Sequence, residues 1–429
     1  MKIGMIYDDI VRENLDCSNP FKGNPGVGGT QFCYLNLIYY LSVLYPEIDI
    51  IVYRYKDNCE AVKMPKEDCV VYKVLNNLQE CVYQAGEDNV DLLLFTFHHA
   101  IELAPIIEER RISSVVWIHN WIRGEVLTAI SKCRFIKRAV FLVREHYDRY
   151  IDDDVIKKAV YIPNMFTTED YPMRNQNLKN VVTYVGAIVP GKGFHILAKA
   201  WKDVVAKIPD AKLYVLGRGN LYGESSEFGE LGLAEKSYED SFSSDLKDCS
   251  GKLMPSVHLM GIVGSEKALI YGSTKVGVVN PTGRTEVCPI SALEMEAAGI
   301  PVISKRTNGL PDVVVNEKTG ILIEKEKELA NAIIKLLTDD TLNRRYSNQA
   351  RVFVESNFNP IKITKVWNKM FIEAINGENV RIIQPTSNFN NNFKWIRCLN
   401  SKIKKIPVCK NFPSFIEIEG KISKLLRGI

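Results

Sequence analysis

The chain has 429 residues, of which 46% are hydrophobic and 25% are charged. These fractions are those of an ordinary globular protein and exclude wholesale disorder. The formal net charge of +4 is too small for a typical nucleic-acid-binding protein, so we expect no nucleic-acid partner. At roughly 100–200 residues per domain, the length predicts about two domains.

The compartment is indicated by the cysteines and by the start of the chain. Ten cysteines are scattered without a C-x-x-C pair or the cysteine–histidine spacing of a zinc site, which predicts a reducing compartment and no disulfide framework. Asp8 and Asp9 come too early for a signal peptide, and no apolar run approaches the ~18 residues of a spanning helix. We therefore expect a cytoplasmic protein, soluble or peripheral on the inner face of the membrane.

Short runs rich in Val, Ile and Leu alternate with helical patterns along the chain. The runs predict strands at 3–7, 48–53, 92–97, 115–119, 181–186, 212–216, 257–260, 276–280, 301–304 and 320–323. Apolar residues at helical spacing, such as Cys33, Leu37 and Leu41, predict helices between them. This alternation predicts an α/β protein with two Rossmann-like domains, and the ligand site is expected in the cleft where the domains face each other.

Composition divides the chain into an N-terminal domain over 1–165, a C-terminal domain over 175–358 and a basic tail over 385–429. The segment 221–252, rich in Ser, Gly, Asp and Glu, is interpreted as a long loop or insertion. Residues 385–392 have the composition of a linker.

The basic tail leaves two interpretations open. It carries nine Lys or Arg residues against Glu417 and Glu419, and its apolar stripe consists of Trp395, Ile396, Leu399 and Ile403. The stripe suits an interfacial helix, so residues 390–429 are a candidate contact with anionic lipid headgroups. The alternative is a solvated surface helix, or one whose stripe packs on the rest of the protein.

The most informative segment runs from residue 280 to residue 302. It follows a predicted strand and opens a helix with Pro289 expected at the first helical position. The amino end of such a helix presents free N–H groups and a positive dipole end, which suits a diphosphate. Glu286 lies just before the helix and Glu294 about a turn and a half inside it, so both carboxylates can reach one ligand. Carboxylates are bidentate acceptors for the vicinal hydroxyls of sugars and ribose.

In this segment the chain resembles glycosyltransferase family 4, a group with the GT-B fold. The family signature is matched by Glu286-x7-Glu294 and the following Ala-Ala-Gly-Ile-Pro-Val. Other motifs of the family are matched in the right order between residues 3 and 375, namely at Gly26-Val-Gly28-Gly29-Thr30, Trp117-Ile-His119-Asn120, Ile162-Pro163-Asn164, 185–193 and 309–314. The ordered set is more specific than any one of its members.

The resemblance implies a retaining transfer of a sugar from a nucleotide sugar to a glycan or lipid-linked acceptor, in bacterial surface polysaccharide assembly. It implies no cofactor and no required metal, and we favour a UDP-sugar over a GDP-sugar. The N-terminal domain would bind the acceptor and the C-terminal domain the donor. A helix around 360–377 would cross back to the first domain.

The resemblance also implies roles for individual residues. Glu286 would be the catalytic carboxylate near the donor sugar ring, with His119 beside the same sugar, and Glu294 would hold the ribose. The remaining donor contacts would be Lys192 at the diphosphate, Gly28 and Gly29 close to the phosphates, the backbone amides of Ile290 and Ser291, and the backbone of Ile262 at the base.

One departure from the family pattern concerns the positive charge at the diphosphate. The family places an arginine where this chain has Ala187, although a leaving diphosphate needs cations around it. Lys192 alone, Arg284 or Arg218 are the candidate replacements, and we favour Arg284. His98 and His99 are interpreted as structural rather than as residues that line the cleft. A catalytically inactive glycan- or nucleotide-binding protein and a nucleotide-sugar epimerase remain as alternatives.

Overall fold

The computed structural model describes residues 1–8, 16–22, 24, 27–55, 62–175, 178–219, 227–264 and 266–427. The chain forms two compact units. Unit 1 consists of Met1–Met165 and Phe358–Ile429, and unit 2 consists of Phe166–Asn357. Each unit has its own parallel sheet and its own buried core.

Unit 1 is built on a seven-stranded sheet with the order β3-β2-β1-β4-β5-β6-β7 and only parallel pairings. Its strands are β1 (Lys2–Asp8), β2 (Asp49–Tyr55), β3 (Val70–Leu75), β4 (Leu92–Thr96), β5 (Ser114–Ile118), β6 (Ile136–Phe141) and β7 (Ala159–Tyr161). The first six strands have the order of a doubly wound dinucleotide-binding fold, and β7 extends the sheet by one strand. In such a fold the carboxyl ends of the strands lie at one edge of the sheet.

The helices of unit 1 come from both ends of the chain. They are α1 (Gly29–Leu44), α2 (Leu78–Glu87), α3 (Ala100–Arg110), α4 (Gly124–Lys132), α5 (Arg144–Asp148), α12 (Pro360–Ile375), α13 (Lys394–Ile403) and α14 (Phe415–Arg427). Helix α12 is fixed by Trp367, which is fully buried and packs its ring 4.6 Å from that of Trp117 on β5.

Unit 2 is built on a six-stranded parallel sheet with the order β10-β9-β8-β11-β12-β13. Its strands are β8 (Val181–Val185), β9 (Lys212–Leu216), β10 (Val257–Gly261), β11 (Val276–Val278), β12 (Val302–Lys305) and β13 (Gly320–Ile323). Its helices are α6 (Phe194–Lys207), α7 (Lys236–Asp240), α8 (Lys267–Ser273), α9 (Ile290–Ala297), α10 (Leu329–Thr338) and α11 (Asp340–Asn357).

The predicted fold class is confirmed: the protein is α/β with two Rossmann-like units of parallel sheet. Each of the ten predicted strands is present within a few residues of its expected bounds. Three strands of unit 1 were not predicted, namely β3, β6 and β7. Strand β3 is a half-exposed edge, β6 carries Lys137 and Arg138 within its apolar run, and β7 has three residues. A cleft in which the two domains face each other stays a prediction.

The segment expected to be a long loop is partly structured. Its first residues, 221–226, lie outside the described part of the chain. The rest contains α7 and a 3-10 turn at Ser243–Leu246. Tyr238, Phe242 and Leu246 are buried in the core of unit 2, and the Phe242 ring lies 5.2 Å from that of Phe194 on α6. The prediction of a long loop was wrong for this part of the segment. Tyr238, Phe242 and Leu246 are separated by polar residues, which conceal the apolar pattern in the sequence.

The basic tail is part of unit 1. Helix α13 buries Lys394 and Arg397 and leaves Trp395 and Leu399 about half exposed. Ile396 and Ile403 of the same stripe are half-buried, so the alternative in which the stripe packs on the rest of the protein holds only in part. Ion pairs with α5 and α14 hold the opposite face of α13 inward. Within the described residues, no helix combines the length and the hydropathy needed to cross a membrane.

Candidate functional site

The candidate site of unit 2 is organised by Asn280, which follows β11. Its side-chain amide donates to the Arg284 carbonyl and to Glu286 Oε1, both at 2.9 Å. Its Oδ1 accepts from Thr282 Oγ1 at 2.7 Å and from the Gly283 N–H at 3.1 Å. Because one buried side chain satisfies four partners, the loop between β11 and α9 has one defined conformation and Glu286 a defined position.

A second turn carries Lys192 to the same place. Residues Pro190–Lys192 form a 3-10 turn that ends at Gly193, whose φ is +71°. The Thr282 hydroxyl also lies 2.8 Å from the Gly191 carbonyl oxygen and shares its single proton between that oxygen and Asn280 Oδ1, which joins this turn to the loop after β11. A Cβ on residue 193 would lie 2.6 Å from Thr282 Cγ2, so the close approach of the two segments requires glycine.

Lys192 and Glu286 form an ion pair between these two segments. The Glu286 side chain is 9% exposed and that of Lys192 is 31% exposed. The carboxylate therefore depends on Lys192 and Asn280 for the interactions that water would otherwise supply. The lysine retains access to solvent, so it can also reach an anionic ligand.

Helix α9 presents its amino end beside this pair. Pro289 was expected at the first helical position. It is instead the N-cap residue, and the helix begins one residue later, at Ile290. Helical hydrogen bonding begins with the Ala292 N–H, which donates to the Pro289 carbonyl at 3.1 Å. The N–H groups of Ile290 and Ser291 precede that bond, and such groups at a helix start can bind an anion or a hydroxyl.

Glu294 lies one turn further along α9 and is buried. Its Oε1 accepts from Tyr171 OH at 3.0 Å and from Lys267 Nζ at 2.5 Å, and its Oε2 accepts from Tyr271 OH at 3.1 Å. Burial and the adjacent carboxylate raise the pKa of both tyrosines, so they remain neutral donors. A ribose hydroxyl that binds Glu294 must share the carboxylate with these donors or displace Lys267.

The candidate replacements for the missing arginine differ in their surroundings. Arg284 is exposed on the loop that carries Glu286. Arg218 is also exposed, and its guanidinium stacks 4.2 Å above the Phe228 ring. Ala187 is half-buried, and its carbonyl accepts from Tyr184 OH at 3.4 Å. Which cation serves the diphosphate stays a prediction.

Ile262 follows β10 directly and is 67% exposed. The preceding Gly261 has a φ of +68°, and its carbonyl accepts from the Gly217 N–H at 2.8 Å. These features leave the Ile262 side chain and backbone at the carboxyl end of a strand, where ligands of doubly wound sheets bind.

The other predicted site residues belong to unit 1. Gly28 is the N-cap residue of α1 and Gly29 its first residue. A Cβ on Gly29 would meet no atom within 4 Å, and one on Gly28 would meet only the flexible Gln31 side chain. Residue 26 of the predicted glycine loop lies outside the described part of the chain. A joint site made by residues of both units stays a prediction.

His119 follows β5 and is 7% exposed. Its Nε2 has no hydrogen-bond partner among the described residues. Burial, together with the nearby His98, lowers the pKa of His119 to about 3, so the ring is neutral near pH 7. A buried imidazole nitrogen without a protein partner is able to accept or donate one hydrogen bond to a ligand.

Sequence reasoning missed a polar cluster at the same edge of the unit 1 sheet. Asp8 Oδ1 lies 2.7 Å from His99 Nε2, and Asp8 Oδ2 accepts from Thr96 Oγ1 at 3.2 Å. The Tyr55 hydroxyl also contacts Asp8 and lies 3.1 Å from His99 Nε2. Asp8 and Tyr55 both contact His99 Nε2, and the interpretation of His98 and His99 as structural stays a prediction. The sequence signal that could have revealed this cluster is that Asp8, Tyr55 and Thr96 each end a strand.

In unit 2 the missed residues are the partners of the two glutamates: Asn280, Thr282, Lys267, Tyr171 and Tyr271. Asn280 is the first residue of the segment 280–302, but nothing in its spacing shows that it bonds four groups of the loop. Lys267 and Tyr271 lie on a different helix from Glu294, so a local pattern does not connect them. Among the described residues, no group of three or more His, Cys, Asp or Glu side chains could hold a metal ion.

The part of the chain that forms unit 2 is similar to known proteins. Residues 172–353 match the family model of glycosyl transferases group 1. The capsular polysaccharide biosynthesis glycosyltransferase CapM of Staphylococcus aureus is 30% identical over 197 residues, which are 46% of this chain and 46% of CapM. A D-inositol 3-phosphate glycosyltransferase of Corynebacterium aurimucosum is 24% identical over 253 residues, or 57% of this chain and 55% of that protein. The matches span about half the length of these relatives.

Solved structures resemble more of the chain. The HepE protein of Anabaena in complex with UDP has a TM-score of 0.65 at 17% identity, covering 87% of this chain and 100% of that one. A sucrose-phosphate synthase of Thermosynechococcus elongatus has a TM-score of 0.65 at 16% identity, covering 88% of this chain and 100% of that one. At these identities the likeness shows the fold, which is the GT-B type expected from the sequence.

Proposed function

We propose that the protein is a retaining glycosyltransferase that moves a sugar from a nucleotide sugar to a glycan or lipid-linked acceptor. The observation that carries the proposal is the Lys192–Glu286 pair beside the open amino end of α9, with Glu294 one turn behind it. This arrangement offers a cation, free amides and two carboxylates on connected segments, and it lies inside the stretch that matches the glycosyl transferases.

The donor would bind with its diphosphate at Lys192 and the Ile290 and Ser291 amides. The amino end of a helix and a lysine both stabilise the negative charge of a diphosphate. Glu286 would lie beside the sugar being transferred, and Glu294 would accept from the ribose hydroxyls. The contribution of His119, Gly28 and Gly29 from unit 1 is part of the same proposal.

A UDP-sugar is the donor that we propose. HepE of Anabaena was solved with UDP and glucose and with UDP-glucose, which supports a uridine donor for a protein of this fold. The proposal includes no metal, since the positive charge at the leaving diphosphate would come from Lys192 together with Arg284 or Arg218.

The reaction would break the bond between the anomeric carbon and the diphosphate oxygen. The acceptor hydroxyl would form the new bond on the same face of the sugar, and its proton would pass to the departing diphosphate. Interactions that strengthen as the diphosphate gains charge lower the barrier, so a lysine placed at the diphosphate, as we propose for Lys192, suits the role.

The acceptor is proposed to belong to surface polysaccharide assembly. CapM is by name an enzyme of capsular polysaccharide biosynthesis. A lipid-linked acceptor would require the protein to work at the cytoplasmic face of a membrane, which is the localisation that we propose.

Donor binding is tested by thermal shift with UDP, GDP and ADP, each with and without a panel of attached sugars. A ligand that binds the folded state raises the melting temperature by mass action. We expect UDP and one UDP-sugar to raise it for the wild type and for Glu169→Gln, an exposed control in the same unit. Glu294→Ala should lose most of the shift. Equal shifts for Glu294→Ala and the wild type, or none with any nucleotide, would contradict the proposed donor site.

A further inference from the structure

Helix α13 has its charged side chains inward. Lys394 is 2% exposed and forms ion pairs with Glu145 and Asp148 of α5 at 2.7 and 2.8 Å. Arg397 is fully buried and lies 2.9 Å from Glu419 of α14. Asn400 donates to Asp152 Oδ2 at 2.8 Å. A helix anchored through polar groups on one face must present its opposite face outward, whatever that face contains.

The outward face of this region is apolar. Trp395 and Leu399 on α13 are each more than half exposed, and Ile406 and Phe412 in the segment that follows are exposed to the same degree. Val408 between them is 90% exposed. Single exposed apolar residues are common, but five large ones within eighteen residues form a patch of the kind that marks an interaction site.

Along the chain, the charge of this segment has one sign, although the exposed Asp154 of a neighbouring turn lies near Lys404 and Lys410. From residue 379 to residue 416 the chain has seven Lys or Arg residues and no Asp or Glu. Lys394 and Arg397 are used inside unit 1, whereas Lys402, Lys405 and Lys410 are exposed among the apolar residues. Trp395, Leu399 and Lys402 recur at i, i+4 and i+7, so the lysine lies on the same face of α13 as the two apolar side chains.

We propose that Trp395, Leu399, Ile406, Val408 and Phe412, with Lys402, Lys405 and Lys410, form a docking surface for an anionic lipid membrane. Aromatic and aliphatic side chains enter the headgroup–acyl boundary, and lysines contact the lipid phosphates. A protein partner would need carboxylates to match the lysines, whereas an anionic bilayer supplies that charge everywhere on its surface. The inward ion pairs of α13 fix Trp395 and Leu399 in an outward orientation before any lipid is bound.

The surface is tested by flotation of the full-length protein with vesicles. Phosphatidylcholine mixed with phosphatidylglycerol is compared with phosphatidylcholine alone. We expect binding to the mixed vesicles only, and a loss of about tenfold or more for Trp395→Ser/Leu399→Ser/Val408→Ser. The matched control Ile101→Ser/Val352→Ser removes exposed apolar residues elsewhere and should bind like the wild type, with melting temperatures compared throughout. Lys402→Glu/Lys405→Glu/Lys410→Glu should also lose binding.

A spectroscopic readout identifies the residue that enters the lipid. Trp117, Trp201 and Trp367 are fully buried and Trp121 is half-buried, so Trp395 is the tryptophan available to a bilayer. Brominated lipid should quench the wild-type fluorescence, and Trp395→Phe should abolish the quenching while it still floats with vesicles. Quenching that persists in Trp395→Phe, equal binding to neutral vesicles, or a wild-type dimer that the triple serine variant converts to a monomer would each overturn the proposal. Vesicle binding requires no catalysis, so it is independent of the proposed transfer reaction.

Discussion

At the scale of single residues, Glu294 is held by three donors, and Lys267 is the charged one. Removing one partner of a buried ion pair leaves the other charge poorly solvated, although the two tyrosines would still hold Glu294. We expect Lys267→Met to lower the free energy of unfolding by about 2 kcal/mol, measured by urea denaturation. Lys335→Met, at an exposed position of α10, should change it by less than about 0.5 kcal/mol. Equal effects of the two variants would show that the pair does not stabilise unit 2.

A second residue-scale prediction concerns Glu296 on α9. Its side chain is fully buried, Oε1 accepts from Thr319 Oγ1 at 2.6 Å, and Oε2 has no partner among the described residues. Burial raises the pKa of this carboxyl well above its usual value, with the Thr319 bond opposing the shift. The group therefore contributes stability that is fully present below its unfolded pKa of about 4.3 and is lost as the pH rises toward the folded pKa.

Glu296→Gln removes this titration, so the comparison isolates it. Relative to the variant, the wild type should lose up to about 1.4 kcal/mol of unfolding free energy per pH unit above pH 4.3. Urea denaturation of both proteins at several pH values measures the difference. A constant difference between them across the acid and neutral range would mean that Glu296 is ionised in the folded protein.

At the scale of elements, the site depends on how two segments approach each other. Gly193 has a φ of +71°, and a Cβ there would lie 2.6 Å from Thr282 Cγ2 and 2.9 Å from the Thr282 backbone nitrogen. A left-handed conformation costs an ordinary residue roughly 1–2 kcal/mol before any clash. Gly193→Ala should therefore lower stability by at least about 2 kcal/mol and weaken UDP binding, because the contact would have to open.

The neighbouring glycine supplies the control. A Cβ on Gly191 would meet no atom within 4 Å, so Gly191→Ala should change stability and UDP affinity little. Urea denaturation and calorimetric titration with UDP measure both quantities. If the two alanine variants behaved alike, the tight approach of the Lys192 turn to the loop after β11 would not be required.

Elements also show why the sequence predicted one half of the site better than the other. Glu286 and Glu294 lie on one continuous segment, so their spacing, the preceding strand and Pro289 together indicate a carboxylate pair at a helix start, and the resemblance adds the Ile290 and Ser291 amides. Apart from Asn280, the partners of the two glutamates lie 23–123 residues away and are brought to them by the fold rather than by local spacing, as Tyr171 is to Glu294. A motif therefore predicts the residues on one element, and the packing of several elements determines what each one contacts.

At the scale of the whole molecule, the two parallel sheets followed from the alternation of apolar runs and helical patterns. Such runs are recognisable because strands buried on both faces are almost wholly apolar. In the C-terminal segment, the charged and apolar residues of the sequence did not indicate which side chains are buried. Lys394 and Arg397 are buried and Trp395 is exposed, because acidic partners on α5 and α14 reverse the usual preference.

The central claim is that the Glu286 site of unit 2 transfers sugar from a nucleotide sugar. The most direct measurement is release of nucleoside diphosphate from a panel of nucleotide sugars, with and without added acceptors, by the wild type, Glu286→Gln and Glu169→Gln. We expect release with one UDP-sugar from the wild type and the Glu169 variant, and a loss of at least about a hundredfold in Glu286→Gln while UDP still raises its melting temperature. Equal release by all three proteins, or none by the wild type with any donor and acceptor, would contradict the claim.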